Sequence, residues 1–365
     1  MTVAVRVLVG LGGIALAGWS LSSAVRTMVV PRALQSVLAR GVFEGMRGVL
    51  SVFMGRHPPY ERRDRVMALL GPVSMLVLAG VWLAVVQIGF TGVFWGLGSR
   101  SLRAAFELSG SSLFTLGSRS ADDLPSETLS FVEAGMGIGL LALLITYLPS
   151  LYGTFNRREV AVALLEVRAD NPPSGPNMLL RYHRIESDRG LTQVWRDWEV
   201  WFADLEETHT SLPVLVFFRS PQPTQSWVTA AGAVLDGAAL RASTVAGRRE
   251  PEADLCIRAG YVALRRLADF FQIAYDPDPH PGDPVSVTRA EYDAVCARLA
   301  AGGVPLKPDL DQAWLDFTGW RVTYDAPLLG LAALTMAPDA PWSSDRGVPF
   351  RRPPLFVRSK PRRTG

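Results

Sequence analysis

The sequence predicts an all-α membrane protein: three transmembrane helices, a short re-entrant helix between the second and third, and a helical cytoplasmic domain. Two observations carry this. Mean hydropathy is positive although the 365 residues include 26 prolines and 19% charged residues, so the apolar residues are concentrated. Nearly all the long apolar runs precede Tyr152, and beyond residue 159 the pattern changes to amphipathic stretches divided by proline-marked breaks.

The first apolar run covers residues 7–25, between Arg6 and Arg26. It approaches the roughly 20 residues that a bilayer core of about 30 Å requires. Gly10, Gly12, Gly13 and Gly18 suit close helix packing. A cleaved signal peptide is the alternative, but no small-x-small site precedes the basic stretch, and an anchor is the preferred reading. The second run, residues 66–95, contains MLVLAGVWLAVVQIGF and ends at Trp95, a residue suited to an interfacial aromatic belt. The third, residues 129–151, carries one acid, Glu133. An ionisable residue inside a span is a functional candidate, and the alternative is a carboxylate reaching the interface.

Arginines set the orientation. Arg26, Arg32, Arg40, Arg47, Arg56, Arg62, Arg63 and Arg65 lie between runs one and two, and Arg157 and Arg158 follow run three. Between runs two and three, Arg100, Arg103 and Arg119 are balanced by Glu107, Asp122, Asp123 and Glu127. The positive-inside rule then places residues 26–65 and everything after 153 in the cytoplasm, with 97–128 and the N-terminus outside.

The outside loop is too apolar for a plain connection. SLRAAFELSGSSLF, residues 101–114, spaces Leu102, Ala105, Phe106, Leu108, Leu113 and Phe114 as a helix would, with Ser99 or Ser101 as cap. Thr115-Leu116-Gly117-Ser118-Arg119 follows, then the acidic turn holding Asp122 and Asp123. An apolar helix lying on the bilayer surface is the alternative to a re-entrant one.

This order of elements, over residues 66–155, resembles the pore module of the potassium-channel superfamily, in which one pore loop sits between two transmembrane helices. Ser112-Leu113-Phe114-Thr115-Leu116-Gly117 is similar to that family's T-x-x-T-V-G run into the selectivity filter, where carbonyls replace an ion's hydration shell. The resemblance implies that residues 101–114 are a pore helix, that Ser112 sits at its base, and that Thr115, Leu116 and Gly117 open the filter. It also implies four copies around one pore and a monovalent ion as ligand. The family's filter continues with an aromatic, a glycine and an aspartate; here Ser118-Arg119-Ser120 stand instead, so potassium selectivity does not follow. Arg119 would place positive charge at the outer mouth unless Asp122 and Asp123 neutralise it. Gly135, Gly137 and Gly139 fall where the family's inner helix bends for gating, the alternative being packing through small residues.

The remaining organisation reads as an N-terminal anchor (1–30), a basic cytoplasmic linker (31–65), the pore-loop module (66–155), a helical cytoplasmic domain (156–345) and a basic, disordered tail (346–365) suited to anionic lipid headgroups. Helices are expected at 177–209, 224–244, 252–275 and 289–301, with Thr288 and Glu291 as a capping box. Val194, Trp195, Trp198, Trp201, Phe202 and Leu205 form a stripe expected in the core. Residues 212–218 read as a loop or helix start, and the acidic, proline-rich turn 276–284 lacks calcium-loop spacing.

Basic and acidic residues nearly balance, 37 against 34, which argues against nucleic acid. All but two of the basic residues are arginine, as codon bias in a GC-rich bacterial genome would give, and a bacterial plasma membrane is the expected location. Cys256 and Cys296 have neither metal nor disulfide spacing. Glu206, Glu207 and His209, and His183 with Glu186, do not complete a di-metal motif. No phosphate loop, dinucleotide fingerprint or nucleophile elbow occurs, so the reading is not an enzyme and names no cofactor. The rival is a membrane-anchored scaffold or sensor whose helical domain binds a protein partner.

Overall fold

The computed structural model describes residues 3–30, 36–54 and 60–346. Arg32, Arg56 and the basic tail from 347 onward lie outside them. Among the described residues the fold is helical, with one isolated antiparallel bridge between Val245 and Leu306 and no strand. Three helical stretches, Val3–Met28, Tyr60–Leu97 and Leu124–Ala169, are long and apolar enough to cross a membrane. The chain divides into two compact units: residues 1–155 with 211–218, and residues 156–210 with 219–365.

In the first unit, α1 (Val3–Met28) packs along α4 (Leu70–Leu97). Lipid tails give apolar helices no hydrophobic reason to associate, so close backbone approach and hydrogen bonds must do it. A Cβ on Gly13 would land on the Gly89 carbonyl, one on Gly89 would stand 2.7 Å from the Gly13 carbonyl, and one on Gly96 2.7 Å from that of Arg6. Gly12 and Gly18 face open space instead. Ser20 Oγ donates to the Trp82 carbonyl at 3.0 Å, and Trp82 Nε1 donates to Ser23 Oγ at 3.0 Å. Trp95 carries the Arg6 guanidinium over its ring at 5.6 Å.

The stretch expected to be a linker is helical over α2 (Val37–Met54) and α3 (Tyr60–Met67). α2 is amphipathic, with Leu50 buried and Val49, Val52 and Phe53 exposed. Residues 212–218 form a 3₁₀ turn, Pro213–Phe217, and sit with the first unit rather than with the helices after 156. There Val214, Leu215 and Phe218 pack against Met75, Tyr147 and Leu151.

α6 (Leu124–Ala169) continues well past the expected end of the third span. Its residues from 156 on belong to the second unit, where Val162, Leu165 and Ala169 are buried while Val160, Leu164 and Val167 are 60, 48 and 68% exposed. The expected helix 177–209 is two helices, α7 (Gly175–Arg184) and α8 (Asp188–Ser211), divided where Glu186 takes a left-handed φ of 51°. α9 (Trp227–Ser243) is buried almost throughout, as an all-round apolar helix must be. α10 (Pro251–Phe271), α12 (Leu310–Arg321) and α13 (Asp325–Thr335) pack on α9, as does α7. α11 (Arg289–Ala301) has the capping box of Thr288 and Glu291. The aromatic stripe of α8 is core, and both cysteines are buried free thiols.

Candidate functional site

α5 (Leu102–Leu113) starts at Ser101, whose side chain accepts the Ala104 N–H at 3.1 Å. Its buried face, Ala105, Leu108 and Leu113, joins a cluster with Val86, Phe90 and Phe94 of α4 and Leu140 of α6. Twelve residues give a length of about 18 Å, short of the roughly 30 Å of a bilayer core.

The contacts of α5 fix how far it runs along its neighbours. Ser109 Oγ lies 3.1 Å from the Gln87 carbonyl of α4 and 2.5 Å from Glu133 Oε1 of α6. At 1.5 Å per residue, Gln87 is about 15 Å from the end of α4, and Glu133 about 14 Å from the start of α6. A Cβ on Gly137 would land on the Leu113 carbonyl, and Gly137 is about 20 Å along α6. So α5 runs from the 97–124 end alongside α6 and stops about 20 Å along it. Of the three glycines expected to bend α6, Gly137 is held by this contact, while Gly135 and Gly139 face open space.

The chain then turns back along α5. Thr115 and Gly117 have positive φ, 52° and 66°, a conformation costly for threonine and natural for glycine. The Leu116 N–H donates to the Ser111 carbonyl at 2.8 Å, and the Arg119 N–H donates to Ser111 Oγ at 3.0 Å. Ser112 Oγ is turned onto its own helix, donating to the Leu108 carbonyl at 2.9 Å. Residues 114–119, including Ser118, are exposed.

The charges pair differently from the sequence expectation. Arg119 Nη2 lies 2.6 Å from Glu107 Oε2, and Arg103 Nε lies 2.9 Å from Glu107 Oε1. Glu107, one helical turn ahead of Ser111 on α5, therefore neutralises Arg119. Asp123 caps α6 instead, its Oδ1 accepting the Ser126 N–H at 2.8 Å, and Asp122 is exposed. Glu133 is fully buried within the protein. The Ser109–Glu133 contact was not foreseen in the sequence, where the available signal was a serine on the buried face of one amphipathic helix and an acid inside the next.

In the second unit, His209 is buried with its Nε2 2.9 Å from Arg158 Nη1. Burial, then the Arg158 charge, holds its pKa well below the usual histidine value. Among the described residues no group of three or more His, Cys, Asp or Glu side chains is placed to hold a metal ion. No family model, curated protein or solved structure matches this chain.

Proposed function

We propose that residues 66–155 form the pore-loop module of an ion-conducting membrane protein resembling potassium channels, with α5 as a re-entrant pore helix and residues 115–119 as the narrow part of the pore. The observation that carries this reading is the depth of α5. A helix too short to cross a bilayer ends beside Gly137, about 20 Å along α6. An apolar helix resting on a membrane surface would touch only the ends of its neighbours. Irregular backbone at that depth is tolerated beside protein or a water-filled cavity, and exposed Thr115, Leu116 and Gly117 occupy that position.

Each chain supplies one loop, so a closed pore takes several copies; four is the number the resemblance implies. The exposed Val160, Leu164 and Val167 of α6 fall at the three- and four-residue spacing by which parallel helices pack. In this reading residues 156–346 are cytoplasmic and the membrane is a bacterial plasma membrane.

The pairing of Arg119 with Glu107 favours a second reading. The ion pair and the Ser111 hydrogen bonds hold the loop onto α5 within one chain, as in a non-conducting scaffold or sensor with a closed loop. The test is ion flux in liposomes containing purified protein, comparing potassium, sodium and chloride, with Arg119→Gly alongside. Flux with a definite preference, changed at Arg119, supports the pore. Silence from both proteins with the oligomer intact selects the scaffold.

A further inference from the structure

Ser109 holds more hydrogen-bond contacts than its own proton can serve. Its Oγ lies 2.5 Å from Glu133 Oε1, at the short edge of the O–H···O range, and 3.1 Å from the Gln87 carbonyl oxygen, just beyond its long edge. Both partners are acceptors if Glu133 is ionised, and a serine hydroxyl carries a single hydrogen. One contact would then set two oxygens against each other with no proton between them. Adding one proton at Glu133 Oε1 resolves the count: Glu133 donates to Ser109, and Ser109 donates to the Gln87 carbonyl.

The surroundings agree. Ser109 and Glu133 are both fully buried, and Glu133 Oε2 has no hydrogen-bond partner among the described residues. An ionised carboxylate needs a counter-charge there. α4 carries no charged residue over Leu70–Leu97. On α5, Arg103 and Glu107 are paired with each other, and Glu107 lies about 200° around the helix from Ser109. On α6 the nearest acid, Glu127, is exposed, and the nearest titratable residue in the other direction is Tyr147. Among the described residues no basic side chain is paired with Glu133.

We propose that Glu133 is a proton-binding site at the junction of α4, α5 and α6, and that its proton completes a Glu133–Ser109–Gln87 relay holding α5 to both neighbours. Its ligand is the proton itself. A monovalent metal cation beside the free carboxylate oxygen is the competing occupant. The proposal goes beyond conduction and does not depend on it.

The test needs no ion flux. Infrared spectra of the full-length protein in lipid at neutral pH should contain a protonated-carboxyl C=O stretch that is lost in Glu133→Gln and shifted in Ser109→Ala. Gln keeps the size and hydrogen-bonding groups of the side chain, and circular dichroism and oligomeric state confirm that it folds. Dicyclohexylcarbodiimide provides a second readout. The acid O–H adds across one C=N bond: the carboxyl oxygen bonds to the central carbon, the proton passes to nitrogen and nothing leaves. Peptide mass mapping should find that adduct at Glu133, undiminished by added potassium or sodium at fixed pH. Coincident wild-type and Glu133→Gln spectra, or a band unmoved in Ser109→Ala, would overturn the relay. Protection of Glu133 by either metal ion would overturn the proton in favour of a cation.

Discussion

Arg119 Nη2 stands 2.6 Å from Glu107 Oε2, so the arginine of the loop proposed to line a pore is neutralised by the helix that precedes it. The carboxylate is shared, since Arg103 occupies its other oxygen at 2.9 Å. If the loop lines a pore, the charge an ion meets is therefore set by Glu107 as much as by Arg119. Glu107→Gln leaves both guanidinium groups uncompensated. A unit charge a few ångströms from the ion path is worth on the order of 1 kcal/mol in water-like surroundings. Cation flux in liposomes should fall roughly five- to tenfold, with chloride gaining relative to potassium. Adding Arg119→Gly to Glu107→Gln should restore most of the loss. Equal flux through all three proteins would remove Arg119 from the path.

The three glycines of α6 separate into two kinds. A side chain on Gly137 meets the Leu113 carbonyl, and backbone cannot move aside as a flexible side chain can. Gly137→Ala should lower the stability of the detergent-solubilised protein by about 1–3 kcal/mol, the usual range for overpacking. Gly135→Ala and Gly139→Ala place their methyl groups in open space and should match or exceed wild-type stability, since alanine favours helix by up to about 1 kcal/mol. If either is a gating hinge, its variant will change flux without changing stability. Thermal unfolding and flux on the same samples distinguish the outcomes.

What could be read in advance follows the range of the interactions. α5 was legible because its cap and its apolar spacing are local, and the structure gives Leu102–Leu113 with Ser101 as the cap. The capping box at Thr288 was legible for the same reason. α2 was not, because Gly41, Gly45 and Gly48 lie in its interior, each costing a helix about 1 kcal/mol against alanine. Packing against α4 and α3 outweighs that preference. The break at Glu186 has neither proline nor glycine to mark it. The Glu107–Arg119 pair and the Glu133–Ser109 contact join residues 12 and 24 positions apart. The first exists only once the loop has turned back along α5 and the second only once α5 lies beside α6, so no local pattern announces them.

Val160, Leu164 and Val167 give the oligomer reading its own check. Their exposure leaves an apolar stripe on a helix whose opposite face, Val162, Leu165 and Ala169, is already buried. If copies meet through α6, Val160→Cys and Val167→Cys should each form disulfide-linked dimers on mild oxidation. Cysteine at exposed Glu166 should not. Cys256 and Cys296 are buried and should not contribute background. Val160→Asp combined with Val167→Asp should weaken the oligomer in mass measurements while leaving helix content unchanged. An intact oligomer with no cross-link at either valine would move the subunit contact elsewhere.

His209 makes the second unit sensitive to acid. Its ring is buried, Nε2 meets Arg158, and Nδ1 lies 3.0 Å from Thr208 Oγ1. Burial and then the Arg158 charge oppose a proton there, so the folded form keeps His209 neutral well below the ordinary histidine value of 6.5. In the unfolded chain the ring binds a proton as pH falls through about 6.5. The unfolded state then holds the extra proton, and stability must decline with falling pH. The contribution is complete above that pH and is lost on the acid side, by on the order of 1 kcal/mol per pH unit until the folded form also titrates. His209→Gln retains a polar side chain near Arg158 but cannot titrate. It should start less stable at pH 8, because the ring's packing against Trp227, with centroids 5.5 Å apart, is lost. Its stability should then change less than that of wild type between pH 6.5 and 5, as read from denaturant midpoints. Parallel pH profiles for the two proteins would mean that another group carries the acid sensitivity.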